Sequence, residues 1–180
     1  WVVSGPYTRK GASTAGLCDA VFPPEEDGEG VTWTKVRANP DPARFWLFEL
    51  DQIIGGSRRV AYLRTSVRSP RRQAARLEVG SDDGVKVWLN GKVVHRNPEE
   101  RGVEPGDDRV DVTLEEGWND LLVKVINGGG DWAACARFRA GGREAGGRGG
   151  ARSGRPDRAR VRVALRREDA GWLGRDGECR

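Results

Sequence analysis

The chain has 180 residues, with 31 Lys and Arg against 27 Asp and Glu and a formal net charge of +4, enough length for one domain with a sizeable core or one domain plus a tail. No apolar run reaches the ~18 residues of a transmembrane helix, and one His with three scattered Cys excludes a zinc site built on paired-cysteine spacing. The positive charge sits in residues 141–180, which hold 11 Arg and no Lys against 6 acids; residues 1–140 carry 20 basic and 21 acidic side chains and present no polycation.

Starting at Trp1, without a methionine or an apolar leader, the chain reads as a mature product or an excised fragment. Residues 1–7 (WVVSGPY) form a short apolar strand ended by Gly-Pro, suited to a sheet edge. Residues 8–30 are rich in Gly, Pro and acids and read as a long surface loop. Residues 31–36 (VTWTKV) alternate with period two, and either face can be the inner one. Residues 45–50 are almost wholly apolar, and residues 51–56 are a short strand or a helical turn closed by glycines.

From 59 to 69, Ala61, Leu63, Thr65 and Val67 alternate with Tyr62, Arg64, Ser66 and Arg68, the pattern of a half-exposed strand. After the turn at Pro70, residues 73–80 place Ala75, Leu77 and Val79 inward. Residues 80–95 (GSDDGVKVWLNGKVVH) then set two alternating runs around Asn90-Gly91, a dipeptide that tolerates the positive φ of a type I′ turn, and predict a β-hairpin. In that register Leu89 faces Lys92, Trp88 faces Val93, Val87 faces Val94 and Lys86 faces His95. One face carries Val85, Val87, Leu89 and Val94 toward the core; the other carries Lys86, Trp88, Val93 and His95.

Residues 97–108 are a second charged loop. Val110, Val112 and Leu114 alternate up to Glu115-Glu116-Gly117, and residues 121–126 follow as the second arm of another expected hairpin. A glycine loop at 127–131 precedes a last strand at 132–138. Short strands, turn residues between them and no long amphipathic helix predict an all-β antiparallel sandwich of jelly-roll type over residues 1–140. The Gly/Arg-rich tail, 141–180, has too little apolar material to offset chain entropy and is expected to stay disordered, with a short strand at 160–165 as the alternative. Cys18 and Cys135 either bridge or remain thiols; separate thiols are the expectation.

The motifs Trp1-x-Val3-x-Gly5-Pro6, FPPE at 22–25, SDDGVKVWLNGK at 81–92, DVTL at 111–114 and GWNxLLVKV at 117–125 resemble the galactose-binding-like β-sandwich modules that accompany secreted bacterial glycoside hydrolases and lyases. The SDDG hairpin is also similar to that of the protective-antigen-type sugar-binding domain. The resemblance implies a non-catalytic carbohydrate-binding jelly-roll, a polysaccharide or glycan partner, an attached catalytic domain, an extracytoplasmic location and, in some members, a structural calcium ion.

Sugar recognition needs flat aromatic faces and a few polar groups that fix hydroxyls. Trp88 with Lys86 and His95 is one such set, and Trp132 with Asn127 and Asp131 is another; the competing reading buries Trp88 beneath a loop and makes Trp132 and Trp118 core residues at strand starts. Arg101 and Asp108 lie where a sandwich builds a binding edge, or form a surface ion pair. Asp82 and Asp83 are the best calcium ligands in the chain, or cap the amides of Gly84 and Val85. His95 is the only neutral-pH base, and adjacent acids on a strand point to opposite faces, so no catalytic pair is expected. Gly-Arg repeats in the tail attract phosphate without sequence preference, but with Trp172 as their one aromatic they predict no specific nucleic-acid site. The leading functional expectation is a carbohydrate-binding accessory module; the alternative is a structural or protein-interaction sandwich.

Overall fold

The computed structural model describes residues 1–140 apart from 42 and 45. Two antiparallel sheets face each other. One has six strands in the order β2-β1-β4-β9-β6-β7: Thr34–Lys35, Val2–Tyr7, Arg59–Ser69, Gly117–Asn127, Val85–Leu89 and Lys92–Asn97. The other has four, β3-β10-β5-β8: Phe48–Glu49, Ala133–Ala140, Gln73–Asp82 and Asp108–Leu114. This is the all-β sandwich that the alternation predicts. The main core lies between the sheets, where Leu63, Leu77, Val79, Val85, Val87, Leu114, Val123, Val125 and Trp132 interlock.

Several elements depart from the sequence reading. The first strand lies second in its sheet; the edge is β2, whose two residues pair only with Val2 and Val3, so Pro6 lies where no partner asks for its missing N–H. Residues 51–56 take the helical alternative through α2, Leu50–Ile53. The region 8–30 is no simple loop. It contains α1, Thr14–Asp19, capped by Ser13 Oγ on the Gly16 amide, and a 3₁₀ turn at Pro23–Glu25. Leu17 and Cys18 pack on Val60, Tyr62 and Ile126, making a second core on the outer face of the six-stranded sheet. Tyr62 is therefore fully buried, and β4 is covered on both faces along this stretch rather than half-exposed.

The hairpin turn forms as expected, with Asn90 at φ 52° and Gly91 at φ 75°. Its register holds for Leu89↔Lys92 and Trp88↔Val93 and then shifts, so that Val87 faces His95 and Lys86 faces Arg96. Val94 is the extra residue of a β-bulge, and such a residue turns its neighbours' side chains relative to strict alternation. His95 thereby shares the inner side with Val87 instead of joining Trp88 outside.

The expected hairpin at 115–117 does not form: β8 pairs with β5, while β9 pairs with β4 and β6 in the opposite sheet. The turn is a crossing between layers. Asn119 holds it by accepting from the Glu115 amide at 2.8 Å and donating to the Glu115 carbonyl at 2.8 Å. Trp118 stands on the outer face, 36 % exposed, and is not a core residue. Cys18 and Cys135 are free thiols in different layers, and burial pushes both up, Cys135 to about 11. The Gly/Arg-rich tail and Cys179 lie outside the described residues. No helix of the described residues is long and apolar enough to cross a membrane.

The loop over the outer face of the four-stranded sheet depends on a missing side chain. A Cβ at Gly80 would collide with the Glu104 carbonyl oxygen and stand 3.0 Å from Cys135 Sγ. Gly80→Ala should lower the unfolding free energy by about 1–3 kcal/mol, the usual cost of inserting atoms into a packed contact. Chemical denaturation measures it; an unchanged midpoint would show that residues 98–107 do not rest on this strand.

Candidate functional site

Three regions bear on function. At one end of the sandwich, β5 finishes with Ser81 and Asp82, joined to Asp83 by a cis peptide. The Asp83 carboxylate accepts the Arg101 amide on Oδ1 at 3.1 Å and the Gly128 amide on Oδ2 at 2.7 Å. It therefore caps amides, as one sequence reading held, but those of two distant loops rather than of Gly84 and Val85. A Cβ at Gly128 would stand 2.5 Å from Thr14 Oγ1 and 3.2 Å from Asp83 Oδ2, which is why a glycine occupies the position. Burial, then the carboxylates of Asp83, Asp131 and Asp51, push the Asp82 carboxyl up to about 6. Calcium takes six to eight oxygen ligands. Both Asp83 oxygens are committed to amides, and among the described residues no three His, Cys, Asp or Glu side chains form a metal-holding group.

Beside this cap lies the Arg101–Asp108 pair. Arg101 donates through both terminal nitrogens to Asp108 and, at 3.0 Å, to Ser81 Oγ; Asn97 donates to Asp108 at 3.1 Å. His95 Nε2 stands 3.2 Å from Asp108 Oδ2, at ion-pair distance although not aligned for a hydrogen bond. Burial opposes the Asp108 carboxylate, but the bonds from Arg101 and Asn97 outweigh it and hold the carboxyl below its usual range. Arg101, Asp108 and His95 thus form one largely enclosed cluster that pins residues 98–107. Asn127 is buried and donates to the Gly56 carbonyl at 3.0 Å, and Trp132 is fully buried in the main core. Trp132 has no face that a sugar could reach.

The third region is a groove of about 340 Å³ on the outer face of the six-stranded sheet. Its floor is Trp88 with Leu122; its walls are Trp33, Arg64 and the turn residues Pro24 to Gly28, with Asp120 at the rim. Trp88 is 8 % exposed, and Lys86 Nζ stands 5.0 Å from its ring centroid, so this indole is largely covered and is no open plate. Trp33 is the more accessible ring, with the Arg64 guanidinium 6.0 Å from its centroid. Asp120 accepts from Ser66 Oγ at 2.5 Å through Oδ1, and Oδ2 has no side-chain hydrogen bond among the described residues.

The turn that walls the groove is held from below by a buried ion pair. Lys124, fully buried, donates to the carbonyls of Cys18 at 3.1 Å and Ala20 at 2.5 Å and to Glu25 Oε1 at 2.7 Å. Tyr62 donates its hydroxyl to the same carboxylate oxygen. Burial pulls the Lys124 ammonium below its ordinary value, against the opposing effect of Glu25. Of the residues singled out from the sequence, Trp88 and Lys86 come together here; His95, Arg101 and Asp108 come together elsewhere, and Asn127 and Trp132 join neither group. Trp33 and Arg64 were not candidates, because nothing in the alternation of residues 31–36 shows that only Thr34–Lys35 pairs and that Trp33 swings onto the neighbouring face.

No family model matches the sequence, and no curated protein matches it. Among solved structures, a β-glucosidase from Kluyveromyces marxianus in complex with glucose superposes with TM-score 0.52 at 14 % identity over 79 % of this chain and 17 % of that one. The PA14 domain of the MpAFP antifreeze protein gives 0.41 at 17 % over 79 % and 64 %, and a PA14 sugar-binding domain from an RTX adhesin gives 0.38 at 17 % over 45 % of each chain. The chain spans less than two thirds of each of these proteins. Of the three, only the β-glucosidase superposition is close enough to bear on the fold, and at that identity it speaks for the fold alone.

The crowding of Asp82 has a consequence for stability. An acid whose folded-state value is raised adds stability that is fully present below its unfolded value, 3.8, and is lost as pH rises through about 6. Asp82→Asn cannot ionise, so it should raise the melting temperature by several degrees near pH ~7.5 and by much less near pH ~4.5. Equal shifts at both pH values would show that the charge on Asp82 is not what strains this end.

Proposed function

We propose that this chain is a non-catalytic carbohydrate-binding module and that a sugar ring occupies the groove beside Trp33 and Trp88. The observation that carries the reading is the composition of that groove: two indoles, one guanidinium and the carboxylates of Glu26, Asp27 and Asp120 in one concavity. Pyranose rings present an apolar C–H face and a rim of hydroxyls. An indole takes the first, and carboxylates and guanidinium take the second by charge-assisted hydrogen bonds. Trp33 is the stacking surface in this arrangement, Trp88 the floor, and Arg64 and Asp120 the groups that fix hydroxyl orientation.

The same fold occupies part of a glycosidase chain, which supports a role beside a catalytic domain of an exported polysaccharide-active enzyme and hence an extracytoplasmic location. The single histidine faces Asp108, away from the groove, so a neutral-pH base is not supplied to a bound sugar there. A second reading, as a protein-interaction module, is favoured by a different cleft of about 480 Å³. It is lined by Trp1, Val36, Trp46, Phe48 and Ala136 and has the apolar character of a protein contact.

A polysaccharide binding screen on the full chain, with and without calcium, separates these readings. Binding to at least one polysaccharide is expected, with Trp33→Ala weakening it about tenfold, the scale of a lost stacking contact. Binding unaffected by Trp33→Ala would remove the groove from consideration, and no binding to any polysaccharide would leave the protein-contact reading.

A further inference from the structure

The pairing register extends the surface beyond the groove. Across β4, β9, β6 and β7, residues Arg64, Leu122, Trp88 and Val93 form one outward row. Two residues along, Ser66 faces Asp120, and two further along, Arg68 faces Trp118. Residues two apart on a strand share a face, so Arg64, Ser66 and Arg68 line one side of this surface and Leu122, Asp120 and Trp118 the other, with Arg64, Arg68 and Trp118 exposed and Ser66 buried among them. From the Leu122 row to the Trp118 row is four residues of β9, about 14 Å at the ~3.4 Å rise of an antiparallel strand, a span of between two and three pyranose rings.

The two ends of this surface repeat one chemistry. At the groove, Arg64 lies beside Trp33; at the far end, Arg68 lies opposite Trp118. Neither arginine has a carboxylate partner among the described residues, and Trp118 is one of the few large apolar side chains left exposed, at 36 %. Between them stands Asp120, whose Oδ2 has no side-chain hydrogen bond among the described residues and can accept from hydroxyls.

We infer that the groove continues along β4 and β9 to a second sugar subsite at Trp118 and Arg68, and that the ligand is a linear glycan long enough to engage both ends. The inference rests on the carbohydrate reading of the groove. A single terminal sugar fills the groove and leaves Trp118 in water, whereas a chain of three or more rings covers that indole and supplies oxygen atoms to both guanidiniums, which lack a carboxylate partner among the described residues. Trp118 and Arg68 act as binding residues that determine chain-length preference, and the groove remains the anchoring subsite.

The test is calorimetric titration of the full chain with a ladder of oligosaccharides, from the single sugar upward, cut from whichever polysaccharide binds in the screen. Affinity should climb until about three or four rings are present and then level off. Trp118→Ala should cost about tenfold against the longest oligosaccharide and nothing against the single sugar, with Trp118→Phe recovering most of the loss. Circular dichroism of each variant confirms that the fold is intact, as expected for an exposed side chain. Affinity that is already full with the single sugar, or that ignores Trp118→Ala at every length, overturns the second subsite and leaves the groove standing. No binding to any member of the ladder or its parent polysaccharide overturns both.

Discussion

A fully buried ammonium group organises the outer layer of this protein. Lys124 sits in the middle of β9, on the face opposite the main core, and three acceptors meet it: the carbonyls of Cys18 and Ala20 and the carboxylate of Glu25. The rings of Phe22 and Tyr62 lie 5.0 and 5.8 Å away. Removing one partner of such a buried pair commonly costs about 3–5 kcal/mol, because the remaining charge stays desolvated. The arrangement is therefore a strict condition on residues 18–25, which must lie across the sheet in one way only. The helix that precedes them and the turn that follows are placed by that condition, and the turn is one wall of the groove.

Much of the architecture is legible in the residues. Asn90-Gly91 specifies its turn, and the alternation of Ala75, Leu77 and Val79 specifies which face of β5 is inner. Three features are not legible, each for a physical reason. A bulge costs one residue and leaves no compositional mark, so nothing in Val93-Val94-His95 shows that the register slips there. The turn at Glu115-Glu116-Gly117 has the chemistry of a hairpin, yet the choice between pairing β8 with β9 and sending them to opposite sheets is made by the whole core, through residues such as Leu114 and Leu121. And residues 8–30 read as a loop because their six-residue helix is too short to show a period, its burial depending on partners a hundred positions away.

The candidate site divides along the same line. Trp88 and Lys86 share a face because they are two apart on one strand, and that much follows from sequence. Trp33 and Arg64 meet through tertiary structure alone. Arg101 lies in the loop and Asp108 is the first residue of β8, and burial decides what they do: Arg101 and Asn97 donate to Asp108, Arg101 also donates to Ser81, and His95 stands against the same carboxylate, so the pair clasps the loop. Asp83 does similar work nearby, with one carboxylate joining residues 101 and 128.

Strand β9 serves two purposes on its two faces. Leu121, Val123 and Val125 belong to the main core, while Trp118, Asp120 and Leu122 stand outside it. The alternation separates what must be kept from what is free to vary. An evolving lineage, or a designer, can exchange the outward residues at 118, 120 and 122 to recognise a different surface, and the packing between the sheets pays nothing for the change.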